Sequence, residues 1–317
     1  SEFDREEFCQ FVLKDLNQLE LKERSNKIVE AMAVYLPGDF KTSAKILEAS
    51  LHPDPPDDLY GITVSAKGLA GWAIMPMGEY VGQNGLEHFD LSLKLLKAMT
   101  SRFTSESAIR HFFLKDHKKT LKTIKPWTKD RNRHVRRLVS EGSRPLLPWS
   151  PRIGAFVDDP LLILPLLELL RHDKEEYVRR SVANNLNDIA KHHPDLVAET
   201  ATLWLQGASK DEQRMVRHAC RTLLKQGHPG TLSAFGYGDV KLDVEAFDIE
   251  NPAIKLGQQL TFDLTLKSTS NEPQPLMIDY IVHHRKANGT TSPKVFKWKT
   301  LTLKPGEEMV ARKKHAI

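Results

Sequence analysis

The chain has 317 residues, 40% hydrophobic and 27% charged, which is ordinary for a soluble globular protein and enough for one long helical array or two domains. Its 46 Lys and Arg against 41 Asp and Glu leave a net charge of only +5, so any face for a polyanion must come from local clustering. No apolar run approaches membrane-spanning length and no secretory signal opens the chain; the two distant cysteines, Cys9 and Cys220, argue for a reducing compartment and against a disulfide scaffold or a cysteine metal site.

Ser1-Glu2-Phe3 reads as a remnant of cloning. From about Arg5 to Gly227 apolar residues recur with a helical period. Amphipathic helices are expected over 8–19, 23–35 and 40–51. Pro53-Asp-Pro-Pro-Asp-Asp58 breaks the pattern as a loop, and residues 59–85 carry no clear period. A helix is expected over 88–101, and another from Thr104 through Phe113 with Thr104 or Ser105 as its cap. Later helices are expected at 118–124, 132–142, 160–171, 175–192, 195–205 and 211–226. Pro145 and Pro148 end the 132–142 helix and turn the chain, which places Trp149 just beyond it.

Near Gly236 the texture changes to period-two alternation, in Val240–Phe247, Leu260–Leu266, Leu276–Val282, Val295–Leu303 and part of Glu308–Arg312. Asn288-Gly289 between two such runs is a hairpin signal. Residues 1–235 are therefore expected to form a helical-repeat domain. Residues 236–317 are expected to form a small all-β sandwich of immunoglobulin type. Five strands are clear where such a sandwich has about seven, so this domain is expected to be incomplete at its C-terminal end.

Val135-Arg-Arg recurs as Val178-Arg-Arg 43 residues on, and loosened as Val216-Arg-His 38 residues further. A period near 40 with helical patterning is that of HEAT-like helix-pair repeats, whose stacking lines one concave surface. The fold class is thus mainly α: a HEAT-like α-solenoid followed by the β domain. In the second copy Val178, Val182, Leu186 and Ile189 form an apolar stripe, and Arg180, Asn184 and Asp188 form a polar one. Arg137, Glu141 and Arg144 occupy the polar row of the first copy, and Arg217 and Arg221 that of the third. Periodicity alone leaves open whether these rows line the groove or face bulk solvent.

The stretch His134–Trp149 gathers Arg136, Arg137 and Arg144, with Arg131, Arg133 and Arg152 nearby, around Glu141 and Trp149. Such basic density suits a phosphate backbone, and a carboxylate set among it calls for a local task. The plainer alternatives are that Glu141 pairs with Arg137 or Arg144, that Asp188 pairs with Lys191, that Glu106 serves a helix N-terminus, and that Trp127 and Trp149 are core residues. No P-loop, GxGxxG, GxSxG or HExxH motif is present. His192-His193 and His283-His284 are adjacent pairs with no acid at ligand spacing, so no metal is expected.

The run His134–Trp149, with Thr104-Ser-Glu-Ser-Ala-Ile-Arg110 before it and Val178–Ala190 after it, resembles the AlkC branch of the AlkC/AlkD bacterial DNA alkylation repair glycosylases. The likeness extends through Ile278–His283 and Lys286–Gly289 into the β domain, and an immunoglobulin-like C-terminal domain marks this branch. The chain departs from the family at Ser107, where Phe is usual, and at His111, where Pro is usual; the family also runs on beyond Ile317.

The resemblance implies a monofunctional glycosylase that removes cationic N-alkylated bases such as 3-methyladenine from duplex DNA without flipping them into a protein pocket. It implies Glu141, Asp188 and Trp149 as the catalytic centre, with Glu106 a further candidate. Arg110, Arg136, Arg137, Arg144, Arg152, Arg179, Arg180 and Arg217 are expected on the DNA. No metal or organic cofactor and no membrane are implied; the protein is expected to be a bacterial cytoplasmic monomer whose partner is duplex DNA carrying alkylated bases. The competing classes are a non-catalytic HEAT-repeat scaffold and an architectural DNA-binding protein. Release of a base from methylated DNA separates the first reading from both.

Overall fold

A computed structural model describes residues 3–53, 65–251, 253–255 and 257–316. From residue 54 on, the loop expected at 53–58 lies outside the described residues, as do Pro252 and Leu256 of two expected turns. The helices are α1 (Arg5–Leu13), α2 (Leu21–Tyr35), α3 (Phe40–Ser50), α4 (Ile74–Asn84), α5 (Phe89–Thr100), α6 (Ile109–Ile124) and α7 (Arg133–Gly142). They continue as α8 (Gly154–Asp158), α9 (Leu164–Leu170), α10 (Glu176–Ile189), α11 (Pro194–Leu205), α12 (Lys210–Ala219), α13 (Arg221–Gln226) and α14 (Pro229–Ala234). The strands are β1 (Leu242–Ile249), β2 (Gln259–Ser268), β3 (Gln274–Arg285), β4 (Thr291–Leu303) and β5 (Glu308–Ala316).

Two compact units emerge, Ser1–His193 with Gly207–Ala219, and Pro194–Gln206 with Cys220–Ile317. In the first, α10 packs between α7 and α12, the three helices that carry the repeated Val-Arg dipeptide, near the start of α7 and α10 and in the second half of α12. Val135, Val178 and Val216 are buried, and so are Val182, Leu186 and Ile189 of the expected apolar stripe. Ile109, Phe112, Phe113, Leu138 and Phe156 fill the core beside them.

The first arginine of each repeat has a fixed structural task. Arg136 donates Nε and Nη2 to the Asp173 carboxylate at 2.5 and 2.9 Å, and Nη1 to the carbonyls of Asp130 and Arg131 at 2.9 and 3.1 Å. Arg179 repeats the arrangement one unit on: Nη1 to the carbonyls of Asp173 and Lys174 at 2.7 and 3.0 Å, Nη2 to Asp211 at 2.8 Å. Each arginine thus ties its own helix to the loop before it and to an aspartate of the next repeat, Asp173 ahead of α10 or Asp211 in the first turn of α12. Both are buried and their donors are spent on protein acceptors. Arg136 and Arg179, expected from the sequence to hold phosphates, thus direct these hydrogen bonds to protein acceptors.

In the second unit α11 packs on α14, and five strands form two antiparallel sheets, β1-β2-β5 and β3-β4. Phe262 on β2 meets Tyr280 on β3 and Trp298 on β4 with centroids 5.3 and 5.2 Å apart, which closes one sheet on the other as a sandwich. Arg285 pairs with Thr291, so the hairpin loop spans 286–290 with Gly289 at φ 81°, longer than a bare Asn-Gly turn.

Arg136→Met should strand the Asp173 carboxylate, which is 5% exposed, and cost about 3–5 kcal/mol, whereas Arg180→Met at an exposed position should stay within about 0.5 kcal/mol of wild type. Urea denaturation of the two variants checks this.

Candidate active site

Three elements carry the three candidate carboxylates. Asn132 starts α7 by accepting the His134 N–H at 2.8 Å. The other end of α7 lies tight on α6: a Cβ on Gly142 would meet Ile109 Cγ2 at 2.6 Å, so only glycine permits the approach that sets Glu141 in place. Asp188 stands near the end of α10, against α7. Glu106 precedes α6, which begins at Ile109 rather than at Thr104. The reason is local: the Thr104 hydroxyl donates to Glu106 Oε2 at 2.7 Å, and Ser105 Oγ donates to the Leu96 carbonyl at 2.9 Å instead of capping a helix.

Two arginines join the carboxylates into one alternating row. Arg137 Nη1 donates to Glu106 Oε2 at 2.8 Å, and its Nη2 lies 3.6 Å from Glu141 Oε2. Arg144 donates Nη1 to Glu141 Oε1 at 2.7 Å and Nε to Asp188 Oδ2 at 2.9 Å. Lys191 closes the row 3.5 Å from Asp188 Oδ1. Both plain pairings expected from the sequence therefore exist, but as links of a single network. Its three carboxylates are matched by two guanidinium groups and one ammonium. Glu141 and Asp188 are only 5% and 3% exposed, Glu106 22%, so the row meets solvent at its Glu106 end.

Burial opposes ionisation of Glu141, but Arg137, Arg144 and a hydrogen bond from Ser181 outweigh it and hold the carboxyl below its usual range. Burial likewise opposes the charge on Arg137, and Glu106 and Glu141 override it, keeping the group above its usual value. Arg144 follows the same pattern through Asp188 and Glu141. Glu141, Arg137 and Arg144 thus hold one another in their charged forms.

The sequence did not single out the residues of α10 that hold this row. Ser181 Oγ donates to Glu141 Oε2 at 2.6 Å, and Asn185 Nδ2 donates to the Ser140 carbonyl at 2.8 Å, fixing both the carboxylate and the backbone that bears it. A hydroxyl beside the buried stripe, between Val178 and Val182, was the available signal.

Trp149 is 79% exposed and has φ 62°, the one described non-glycine residue with positive φ, whereas Trp127 is buried as a core residue. A bulky side chain in that backbone region is strained by about 1–3 kcal/mol and persists where its surroundings dictate it. Arg110 does so from beneath. Its guanidinium is fully buried and donates to the carbonyls of Gly142 at 3.1 Å, Arg144 at 2.6 Å and, through Nε, Pro151 at 2.7 Å. Burial and the nearby Arg144 push it down to about 10. Arg110 is therefore a keystone of the Trp149 loop; the expectation that it contacts DNA is corrected, because no donor is left facing outward. Lys22 Nζ donates to the Trp149 carbonyl at 3.0 Å, and the Ser107 and Ser150 hydroxyls share a hydrogen bond of 2.6 Å. That last contact joins the immediate neighbours of Glu106 and Trp149.

Of the other arginines, Arg152 is exposed and Arg217 half-buried. Arg180 lines a cleft of about 260 Å³ between α10 and α12 with Arg179, Arg214 and His218. Among the described residues, no three His, Cys, Asp or Glu side chains are grouped to hold a metal ion, and no helix is long and apolar enough to cross a membrane.

Helical repeats presenting fixed charges beside an exposed tryptophan agree with what comparison finds. Residues 82–223 match the DNA alkylation repair enzyme family, and 243–317 match the C-terminal Ig-like domain of the uncharacterised protein YhaZ. The uncharacterized protein YhaZ of Bacillus subtilis (strain 168) is 36% identical over 296 residues, 93% of this chain and 78% of that one. The alkylpurine DNA glycosylase AlkC of Pseudomonas fluorescens, solved bound to DNA containing an abasic site analog, superposes with a TM-score of 0.87 at 33% identity, over 100% of this chain and 84% of that one. AlkD2 from Streptococcus mutans shares 24% identity over 68% of this chain and 98% of that one, with a TM-score of 0.48. The chain belongs to the AlkC branch of the AlkC/AlkD DNA alkylation repair glycosylase family.

Because the folded Glu141 carboxyl lies below its usual value of about 4.3, its contribution to stability is complete above that pH and is lost as pH falls through the lowered value. Ser181→Ala removes one of the bonds that lower it. Stability at neutral pH should then fall and its loss on acidification should become smaller, because the folded value moves back toward the unfolded one, with Ser181→Thr restoring both; urea midpoints measured from neutral pH across the acid range read this directly.

Proposed function

We propose that this protein is a monofunctional DNA glycosylase that hydrolyses the N-glycosidic bond of cationic N-alkylated bases, 3-methyladenine among them, in duplex DNA, acting as a monomer. The observation that carries the reading is the charge-balanced row Glu106–Arg137–Glu141–Arg144–Asp188–Lys191, whose Glu106 end lies next to Trp149.

The chemistry follows from the charges. A base alkylated on a ring nitrogen is cationic. When its C1′–N bond breaks, the electron pair goes to the base, which departs neutral and needs no proton. The positive charge passes to the sugar as an oxocarbenium-like species. A carboxylate held ionised in a poorly hydrated site stabilises that charge and orients a water, whose oxygen bonds to C1′ while its proton passes to the carboxylate. Abasic DNA and a free base result. Glu141 and Asp188 supply the buried fixed charge in this reading, and Glu106 the accessible one. The exposed Trp149 ring offers a cation-stabilising face against the sugar. Its exposure, rather than a place in a cavity wall, supports catalysis on a base left outside any protein pocket.

Glu141→Gln and Asp188→Asn keep shape and remove charge. Each should slow single-turnover release of 3-methyladenine by on the order of a hundredfold or more, while duplex affinity holds or rises. Both variants, confirmed folded by urea denaturation, running near the wild-type rate would move the assignment to Glu106 with Trp149. A scaffold would release no base at all.

Trp149→Gly probes the strained position from the other side. Glycine adopts φ 62° freely, so stability should hold or rise by up to about 1 kcal/mol while base release falls at least tenfold. A loss of stability with release retained would make the tryptophan a packing residue.

A further inference from the structure

A basic track lies outside the carboxylate row. Lys118, Lys122 and Lys125 fall at i, i+4 and i+7 along the second half of α6 and onto the 3-10 turn Lys125–Lys129; Lys129 ends that turn and Arg131 follows just before α7. All five side chains are exposed. Asp116 starts the segment: its φ of −153° breaks α6, and its carboxylate accepts the Lys119 N–H at 2.9 Å, capping a fresh run of helix.

Residues 117–129 contain no Asp or Glu. The other lysines near this segment are committed: Lys115 pairs with Glu87, Lys119 sits 4.0 Å from the Phe89 ring centre, and Lys97 pairs with Asp130 at 2.7 Å. Lys118, Lys122, Lys125 and Lys129 make no ion pair among the described residues. Like charges at helical spacing destabilise a helix, so an acid-free series on one face carries a cost that a merely solvated surface has no reason to bear.

The rest of the first unit sharpens the point. The carboxylate row is balanced within itself, and Arg110, Arg136 and Arg179 are spent inward. Binding to a polyanion scales with uncompensated cations, and this track holds a concentrated set of them. Its far end runs directly into α7, which bears Glu141 eight residues beyond Arg133, about 12 Å along the helix. We propose that Lys118, Lys122, Lys125 and Lys129 bind the phosphate backbone of duplex DNA flanking the reacting nucleotide. The proposal rests on the reading of the protein as a DNA enzyme.

The test is the salt dependence of binding to undamaged duplex DNA. The full-length variant Lys118→Gln/Lys122→Gln/Lys125→Gln/Lys129→Gln is compared with Lys14→Gln/Lys41→Gln/Lys45→Gln/Lys67→Gln, which removes the same charge from exposed sites elsewhere. The track variant should lower the slope of log affinity against log salt by roughly 3 to 4, about 0.9 per lost contact, and the control by less than about one. Equal slopes in the two variants overturn the track, whether because net charge alone steers DNA or because the lysines serve an acidic protein. Wild-type protein with no salt-dependent DNA binding overturns the DNA reading itself, a separate outcome.

Discussion

Glu141 held between Arg137 and Arg144 is the contact on which the site depends. A carboxylate this buried, left alone, would take up a proton rather than bear its desolvation. With a guanidinium on either side and the Ser181 hydroxyl on its free oxygen, it stays charged. Both arginines come from α7 or the residues just after it, and the serine from α10, so the ionised state requires the two repeats to be packed in register. The alternation then extends outward by itself. Arg137, already attracted to Glu141, reaches Glu106, and Arg144 reaches Asp188. Three helices' worth of backbone are locked by charges that none of them could hold alone.

The repeated Val-Arg dipeptide divides its labour by helical phase. The residue after valine turns toward the neighbouring repeat and is used for architecture, in Arg136 and Arg179, whose carbonyl partners match position for position across a spacing of 43 residues while each also reaches an aspartate of the next repeat. The next residue points about 100° away and is free to differ: Arg137 enters the carboxylate row, Arg180 lines a cleft, and His218 hydrogen-bonds Asn184 at 3.1 Å. The repeat is thus strict where it holds the helices together and loose at the position that follows.

Much of this was legible in the sequence, for physical reasons. The helical and β halves, the repeat and the buried stripe follow from periodicity, and the acids Glu106, Glu141 and Asp188 stood out as carboxylates on basic helices. What the sequence hid was direction. Arg110 and Arg180 look alike in a string of letters; one lies wholly under a loop and the other reaches solvent. Trp149 resembled a core residue or a site residue equally, and only its backbone angle and exposure separate the two. Ser107, one of the departures from the family pattern, gains a meaning only in space, since its hydroxyl meets that of Ser150 and joins the Glu106 turn to the tryptophan loop.

In the proposed function, a charge-balanced row separates chemistry from attraction. Were the arginines around Glu141 and Asp188 free to grip phosphates, the carboxylates would lose the partners that keep them ionised, and tighter binding would weaken the group that stabilises the sugar cation. Spending those arginines on the acids removes the conflict. In the proposed reading the pull on the DNA backbone then comes from exposed cations outside the row, such as Arg152, Arg180, Arg214, Lys118 and Lys122. Of these Arg214 alone has a competing acid, Asp211, which it shares with Arg179. A modest net charge of +5 is compatible with strong local binding because the positive charge that cancels inside the site is not the charge that meets the duplex.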